Sequence, residues 1–372
     1  MSDMIQHRIL SYMLFLLFLA MLTDKRVLIT GGTGSLGKVL LRRILSGECG
    51  QPRKVIIFSR DEAKQHHLRL EYLHRRAATD DIIYHNFEQL VDFRIGDVRD
   101  FHSISAVLQG VDVVFNAAAL KQVPTCEYFP FEAVRTNIAG PENIVRAIRE
   151  HRLPVETVVG ISTDKACKPV NVMGMTKAIQ ERVFIRANLD CPDTRFICAR
   201  YGNVLASRGS VIPLFHDQIR NGGPVTITTA EMTRFLLSLD QAVDIILAAV
   251  AHGNRGETYI PRVPSAKVTD IATVLIGDRP FETVITGIRP GEKVHEILVS
   301  EEEAHRTLAR DSYYVILPIL PELREQKTAY ESLDKEYSSA DTVMTLEETK
   351  ALLSSHDLLI GDAINGEGEL LR

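Results

Sequence analysis

The chain has 372 residues, 45% of them hydrophobic and 24% charged, the balance of a globular protein long enough for one large domain with a smaller lobe. A net charge of −5, with no basic run, excludes a general nucleic-acid groove. Five cysteines without CxxC spacing (Cys49, Cys126, Cys167, Cys191, Cys198) exclude a disulfide scaffold and a zinc site, and fit a reducing cytoplasm.

The first 22 residues are read apart from the fold. Ile9 to Leu22 is almost wholly apolar, broken only by Ser11 and Tyr12. That is short of the ~20 apolar residues a spanning helix needs. Three readings stay open: a disordered or mis-started leader ahead of Met21, a membrane-surface anchor, or a signal peptide lacking a small-residue cleavage site. The expected location is cytoplasmic, with peripheral membrane contact only if this segment is real.

Short β-branched runs then alternate with helical stretches. Strands are expected at Arg26–Thr30, Lys54–Phe58, Val91–Ile95, Asp112–Asn116, Glu156–Ser162 and Arg195–Tyr201. Helical spacing marks Ser35–Leu45 and Glu132–Glu150, and Ala77–Leu90 reads as a surface insertion before the third strand. This alternation predicts an α/β fold, a Rossmann-like doubly wound parallel sheet. Past Tyr201 it loosens among Gly222, Gly223, Pro261, Pro264, Pro280 and Pro290, which predicts a smaller C-terminal α+β lobe over the strand ends. The expected division is a leader over 1–22, the Rossmann-like domain over 23–205, a lobe over 206–320 with some elements returning to the first domain, and a peripheral tail over 321–372 with one helix.

The first strand runs straight into Thr30-Gly31-Gly32-Thr33-Gly34-Ser35-Leu36-Gly37. In a strand–turn–helix setting this is a dinucleotide loop: Gly31 for the turn, Gly34 for approach to a pyrophosphate, Gly37 for close packing, with Thr33, Ser35 and Leu36 beside the phosphates. The second strand ends in Phe58-Ser59-Arg60, with Lys64 one turn on. An acidic residue there would repel a 2′-phosphate, whereas Arg60 and Lys64 attract one, so NADP is expected over NAD, with Asp61 as the dissenting charge. Asp97 and Val98 are placed to meet the adenine, and Ala117 and Ala118 of the Asn116-Ala117-Ala118-Ala119 turn let backbone pass beside the cofactor.

Further along stand Ser162-Thr163-Asp164-Lys165 and Met173-Gly174-Met175-Thr176-Lys177. Together with the loop above, these segments resemble the extended short-chain dehydrogenase/reductases. Ala118–Pro124 (AALKQVP), Arg200–Val204 (RYGNV), Ser207–Pro213 (SRGSVIP), Met232–Phe235 (MTRF) and Gly287–Glu296 (GIRPGEKVHE) resemble one subgroup more narrowly. That subgroup is the inverting UDP-N-acetylglucosamine 4,6-dehydratases of bacterial surface-polysaccharide biosynthesis. The likeness runs from about Leu22 to Tyr314. It departs at Met173, where the family pattern Tyr-x-x-x-Lys has its tyrosine; a thioether exchanges no proton. The Met-Gly-x-Thr-Lys context is similar to a branch of these dehydratases that carries methionine there.

The resemblance implies the chemistry. NADP⁺ oxidises C4, the ketone acidifies the C5 hydrogen, and water leaves across C5–C6. Such a cycle needs a base for C5 and an acid for the departing C6 hydroxyl. Lys165 as neutral amine and Asp164 as protonated acid are expected to supply them, with Thr163 on the C4 oxygen and Lys177 on the nicotinamide ribose. Tyr201 borders the nicotinamide, and Lys121 and Asn203 the sugar nucleotide. Arg208, Arg234 and Arg289 are candidates for the diphosphate, and Glu292 for the uridine ribose. His295-Glu296 lacks an HExxH partner, so no metal is expected. A homo-oligomer is implied by the resemblance. The competing readings are a UDP-sugar 4-epimerase or reductase on the same scaffold, and, because of Met173, a non-catalytic NADP-binding sensor.

Overall fold

The structure is a computed structural model that describes residues 20–74, 81–207, 210–324 and 331–361. Six strands, β1 (Arg26–Thr30), β2 (Lys54–Ser59), β3 (Val91–Ile95), β4 (Val113–Asn116), β5 (Thr157–Thr163) and β6 (Arg195–Tyr201), run parallel in the order β3-β2-β1-β4-β5-β6. The chain turns back on itself between β1 and β4, so a crevice opens at their carboxyl ends. Three later strands complete the sheet beside β6: Thr258–Pro261 in parallel, then Tyr313–Ile316 and Thr307–Arg310 antiparallel.

The apolar runs follow from burial on both faces. Val27 and Ile29 of β1 enter one core with Leu40 and Ile44 of helix Ser35–Leu45. Leu28, between them, faces the other core with Ile144 and Ile148 of helix Gly140–His151. A strand covered on both sides has no solvent face to alternate with, which is why these segments read as unbroken β-branched stretches.

The expected helix over Glu132–Glu150 is interrupted. Helix Pro130–Val134 passes into a π-helical turn, Arg135–Ala139, before Gly140–His151 begins. Pro141 has no N–H to give to the preceding turn, so the helix cannot run through it unbroken. The wide turn holds buried Asn137, which accepts from Leu120 N at 2.8 Å and donates to Thr176 Oγ1 at 3.0 Å.

The stretch expected as a surface insertion is not one throughout: Asp81–Leu90 is a helix whose Phe87 is buried and stacks on Tyr72 at 4.4 Å, while Asn86 donates to Leu45 O. The tail is likewise more than a peripheral helix. Tyr337–Ser338 pairs with Ile297–Val299, and helix Leu346–Ser355 packs on Val268–Ile276 with Leu353 fully buried. Leu353 joins Phe215, Ile219, Ile271 and Leu275 in a separate lobe core. Buried Arg200 ties β6 to the lobe side, its guanidinium 2.7 Å from both Glu181 and Glu303. Burial raises the Glu303 carboxyl, but Arg200 outweighs it and brings the group down to about 2.

Most of the expected leader, residues 1–19, lies outside the described residues. Leu22 already belongs to the core: it is fully buried and its N donates to Cys49 O. No helix among the described residues is long and apolar enough to cross a membrane.

Candidate active site

A cavity of about 1660 Å³ lies along the carboxyl ends of the parallel strands. Every described residue expected in the site lines it, from Gly31 and Arg60 at one end to Arg289 and Glu292 at the other. Arg208 lies outside the described residues.

The glycine-rich turn is shaped by close backbone approach. Gly31 has φ +67°, and a Cβ on it would sit 2.8 Å from the Ala118 backbone, so the Ala117–Ala118 turn and Gly31 need each other small. A Cβ on Gly37 would lie 2.5 Å from Gly32 Cα. Gly34 differs: a Cβ there would meet only the Gly31 carbonyl, at 3.3 Å, and otherwise open cavity. Helix Ser35–Leu45 starts at Gly34 with no side-chain cap and no acidic residue in its first turn. Its first N–H groups are thus left for an anion such as a pyrophosphate. Behind the turn, Thr30 Oγ1 donates to Asn116 Oδ1 at 2.8 Å and fixes β1 to β4.

At the end of β2 the dissenting Asp61 is already engaged. It accepts from Lys64 N at 3.0 Å and pairs with Lys64 Nζ at 2.9 Å, capping its own helix. Arg60 is 58% exposed and lies 3.6 Å from Asp97. Partial burial pushes the Asp97 carboxyl up, but hydrogen bonds from Arg99 win and hold it below the usual range.

At the end of β5 the chain turns through a short 3₁₀ segment, Asp164–Ala166. Asp164 is fully buried, and its Oδ1 accepts from Thr163 Oγ1 at 2.6 Å, Lys165 N at 2.9 Å and Lys165 Nζ at 3.1 Å. Its Oδ2 has no partner among the described residues. Lys165 departs from expectation. Burial alone would lower its ammonium, but Asp164 and Glu296 together hold it above its ordinary value, so Lys165 carries its proton here instead of being a neutral amine.

Helix Val172–Asp190 begins beside this turn, with Asn171 accepting from Gly174 N at 2.8 Å. Met173 and Lys177, four residues apart, share its inner face. Met173 packs with Cys126, Ala133, Leu120 and Val123, where an unbranched thioether fills the gap. Lys177 is 5% exposed and donates to Ile161 O at 2.8 Å and Gln180 Oε1 at 2.9 Å, which leaves one of its three protons for the cavity. Burial brings it down to about 8.

On the lobe side, Arg234 does not offer the open fork expected of a diphosphate ligand. Its terminal nitrogens donate to the carbonyls of Thr233, Lys293 and Val294 at 2.7–3.1 Å, so the guanidinium braces the GEKVHE loop. Arg289 is exposed on the rim, and Glu292 accepts from Thr228 Oγ1 at 3.3 Å. Asn203 Oδ1 is buried without a partner among the described residues. Sequence reasoning passed over Glu296, considered only as a metal ligand. It is 3% exposed, lines the cavity, and stands 3.4 Å from Lys165 Nζ and 3.7 Å from Arg234 Nε.

Residues 27–318 match the family described as polysaccharide biosynthesis protein. The chain belongs to that family, within the extended short-chain dehydrogenase/reductases. Among curated relatives of this family, proteins named UDP-glucose 4-epimerase from Rickettsia conorii and Rickettsia bellii are each 42% identical over 348 residues, 91% of this chain and 97% of theirs. The solved structure of Pen from Bacillus thuringiensis superposes with a TM-score of 0.79 at 33% identity, covering 91% of this chain and 99% of that one. DesIV from Streptomyces venezuelae, a dTDP-glucose 4,6-dehydratase solved with NAD, shares the fold at 20% identity, with a TM-score of 0.60 over 72% of this chain and 86% of that one.

Proposed function

We propose that the protein is an NADP-dependent UDP-N-acetylglucosamine 4,6-dehydratase that inverts C5. The names of the curated relatives support modification of a nucleotide sugar, and the solved neighbours support a nicotinamide dinucleotide. The observation that carries the finer reading is the Asp164–Lys165 pair, a buried carboxylate and a partly buried ammonium at the end of β5, in the same cavity as the glycine-rich turn.

Bound NADP supplies the reversible oxidation at C4. The C4 hydroxyl proton needs an outlet that Met173 cannot offer. Thr163 Oγ1 accepts from the C4 hydroxyl while it keeps donating to Asp164 over 2.6 Å, and the C4 proton passes to water in the cavity. The C4 ketone then acidifies C5. Transfer of one proton from Lys165 Nζ to Asp164 over 3.1 Å turns the resting ion pair into an amine and a carboxylic acid, the two species elimination requires. The amine takes the C5 proton, the C–H electron pair moves into C5–C6, and the C6 hydroxyl leaves as water with the Asp164 proton. The hydrogen removed from C4 returns at C6, and a proton taken from water on the opposite face of C5 inverts that centre. Lys177 holds the nicotinamide ribose with its remaining proton, and Asn203 Oδ1, buried and unpartnered among the described residues, accepts from the sugar nucleotide.

The names of the rickettsial relatives favour a second reading, a UDP-sugar 4-epimerase. That reaction removes and restores hydrogen at C4 alone, so it leaves the acid–base pair at C5–C6 without a task. Incubating the purified chain with UDP-N-acetylglucosamine and weighing the product by mass spectrometry separates them. Loss of one water supports the dehydratase, an unchanged mass with a changed C4 configuration supports the epimerase, and NADP bound without turnover supports the sensor.

The NADP preference is tested by Arg60→Ala. With Asp61 occupied by its own helix cap, Arg60 is an exposed cation at the end of β2, where a 2′-phosphate is expected. A charge-assisted hydrogen bond contributes about 1.5–3 kcal/mol, so the ratio of NADP to NAD affinity falls by ~10-fold or more in R60A. An unchanged ratio in fluorescence titrations places the 2′-phosphate elsewhere.

A further inference from the structure

Lys165 is held from two sides. Asp164 lies next to it on the β5 turn, and Glu296 reaches it from the lobe, just before strand Ile297–Val299. Glu296 is nine-tenths buried or more, and its Oε2 has no partner among the described residues. A carboxylate so placed is costly unless neighbouring cations repay it. Its Oε1 lies 3.4 Å from Lys165 Nζ and 3.7 Å from Arg234 Nε, and Arg234 is itself locked to three carbonyls. Its main chain is fixed from the C-terminal region: Glu296 N donates to Ser339 Oγ at 2.9 Å, and Ser339 N donates to Glu296 O at 2.8 Å.

We propose that Glu296 is the positioning residue of the acid–base pair, a second carboxylate that clamps Lys165 Nζ from the lobe side and holds it against Asp164. The inference rests on the dehydratase reading and deepens it. Without Glu296, Lys165 would answer to Asp164 alone, on its own turn, and its four-carbon stem would be free to swing into a cavity of this size. With Glu296, the reacting nitrogen is fixed between two elements of the fold, so the base is assembled only where lobe and sheet meet. The charges facing Lys165 are Asp164 on its own turn, Arg234 on strand Thr233–Leu237, and Glu296 with half-buried Lys293 on the GEKVHE loop. The two carboxylates outweigh the two cations and burial, and Lys165 is held in its charged form.

The test is solvent-deuterium exchange at C5 of UDP-N-acetylglucosamine, measured against pH for wild type, E296Q and E296D, with NADP affinity and thermal unfolding of each. Glutamine keeps the side-chain shape and leaves both Ser339 hydrogen bonds in place, since those are made by the main chain. In E296Q, kcat falls by ~10- to 100-fold with KM and NADP affinity within about threefold, as a misplaced reacting group requires. An opposite charge at this range holds a proton on by about one pH unit or more, so the alkaline end of the E296Q exchange profile moves to lower pH by that much. E296D, which keeps the charge, returns the profile most of the way to wild type. Wild-type kcat and profile in E296Q overturn the proposal. So does a loss of activity in E296Q with the profile unmoved and binding weakened, which marks a merely structural side chain. No C5 exchange in the wild type removes the dehydratase reading and the proposal with it, whereas exchange in wild type with an indifferent E296Q removes the proposal alone.

Discussion

Lys165→Ala lowers C5 solvent-deuterium exchange by ~10²- to 10⁴-fold, the usual contribution of a positioned base, while NADP affinity stays within about twofold. The two effects separate because the cavity is long. The phosphate-facing turn is built by Gly31, Gly34 and the start of helix Ser35–Leu45, none of which touches Lys165. Alanine also strips the cation from two buried carboxylates, so stability falls by about 1–3 kcal/mol. Rescue of exchange by an added small amine would attribute the loss to the missing base. Exchange retained at the wild-type rate in K165A would assign the C5 base to another residue.

The second large effect is expected from a residue with no reactive group. A Cβ on Gly174 would stand 2.1 Å from the Lys165 carbonyl oxygen, far inside any tolerated contact, and the obstacle is backbone. Helix Val172–Asp190 can therefore lie against the Asp164–Ala166 turn only with glycine at this position. In Gly174→Ala, either the helix start or the turn moves by about 1 Å, and such a displacement of a reacting group costs ~100-fold in kcat. Overpacking adds about 1–3 kcal/mol of destabilisation. Steady-state kinetics and thermal unfolding measure the two together. Wild-type turnover in G174A would show that the position of the turn is not what the chemistry depends on.

Much of the scaffold was legible because its causes are local. Ser35–Leu45 was expected with the bounds it has, since glycine before the first turn and apolar residues at helical spacing both lie within it. The strands were found through their continuous β-branched runs, a direct consequence of burial on two faces. What sequence reasoning missed depends on partners far away in the chain. Helix Leu346–Ser355 opens on the charged residues Glu347, Glu348 and Lys350, and what fixes it is Leu353 reaching a core formed by residues from 205 onward. The π-helical turn before Pro141 was hidden because helical spacing continues through it.

The site divides the same way. The residues expected to line one cavity were read from contiguous motifs, and the fold brings all the described ones to it. Their states were harder to read. Arg234 carries the charge a phosphate wants, but the carbonyls of Lys293 and Val294 reach it first. Lys165 was assigned as a neutral amine from the needs of the reaction, while the folded site surrounds it with Asp164 and Glu296 and keeps it charged. Glu296 is 131 residues from Lys165, and nothing in the spacing of His295-Glu296 announces that pairing.

The central claim is that hydrogen removed from C4 of a UDP-amino sugar ends on C6 as water departs, served by a partly buried lysine and two buried carboxylates. UDP-N-acetylglucosamine carrying deuterium at C4 tests it in a single incubation with the NADP-loaded protein, read by NMR and mass spectrometry. The account predicts a product lighter by one water, with the deuterium in the new C6 methyl group. Deuterium back at C4 of a sugar of unchanged mass, with that carbon inverted, would contradict it and make the protein a 4-epimerase.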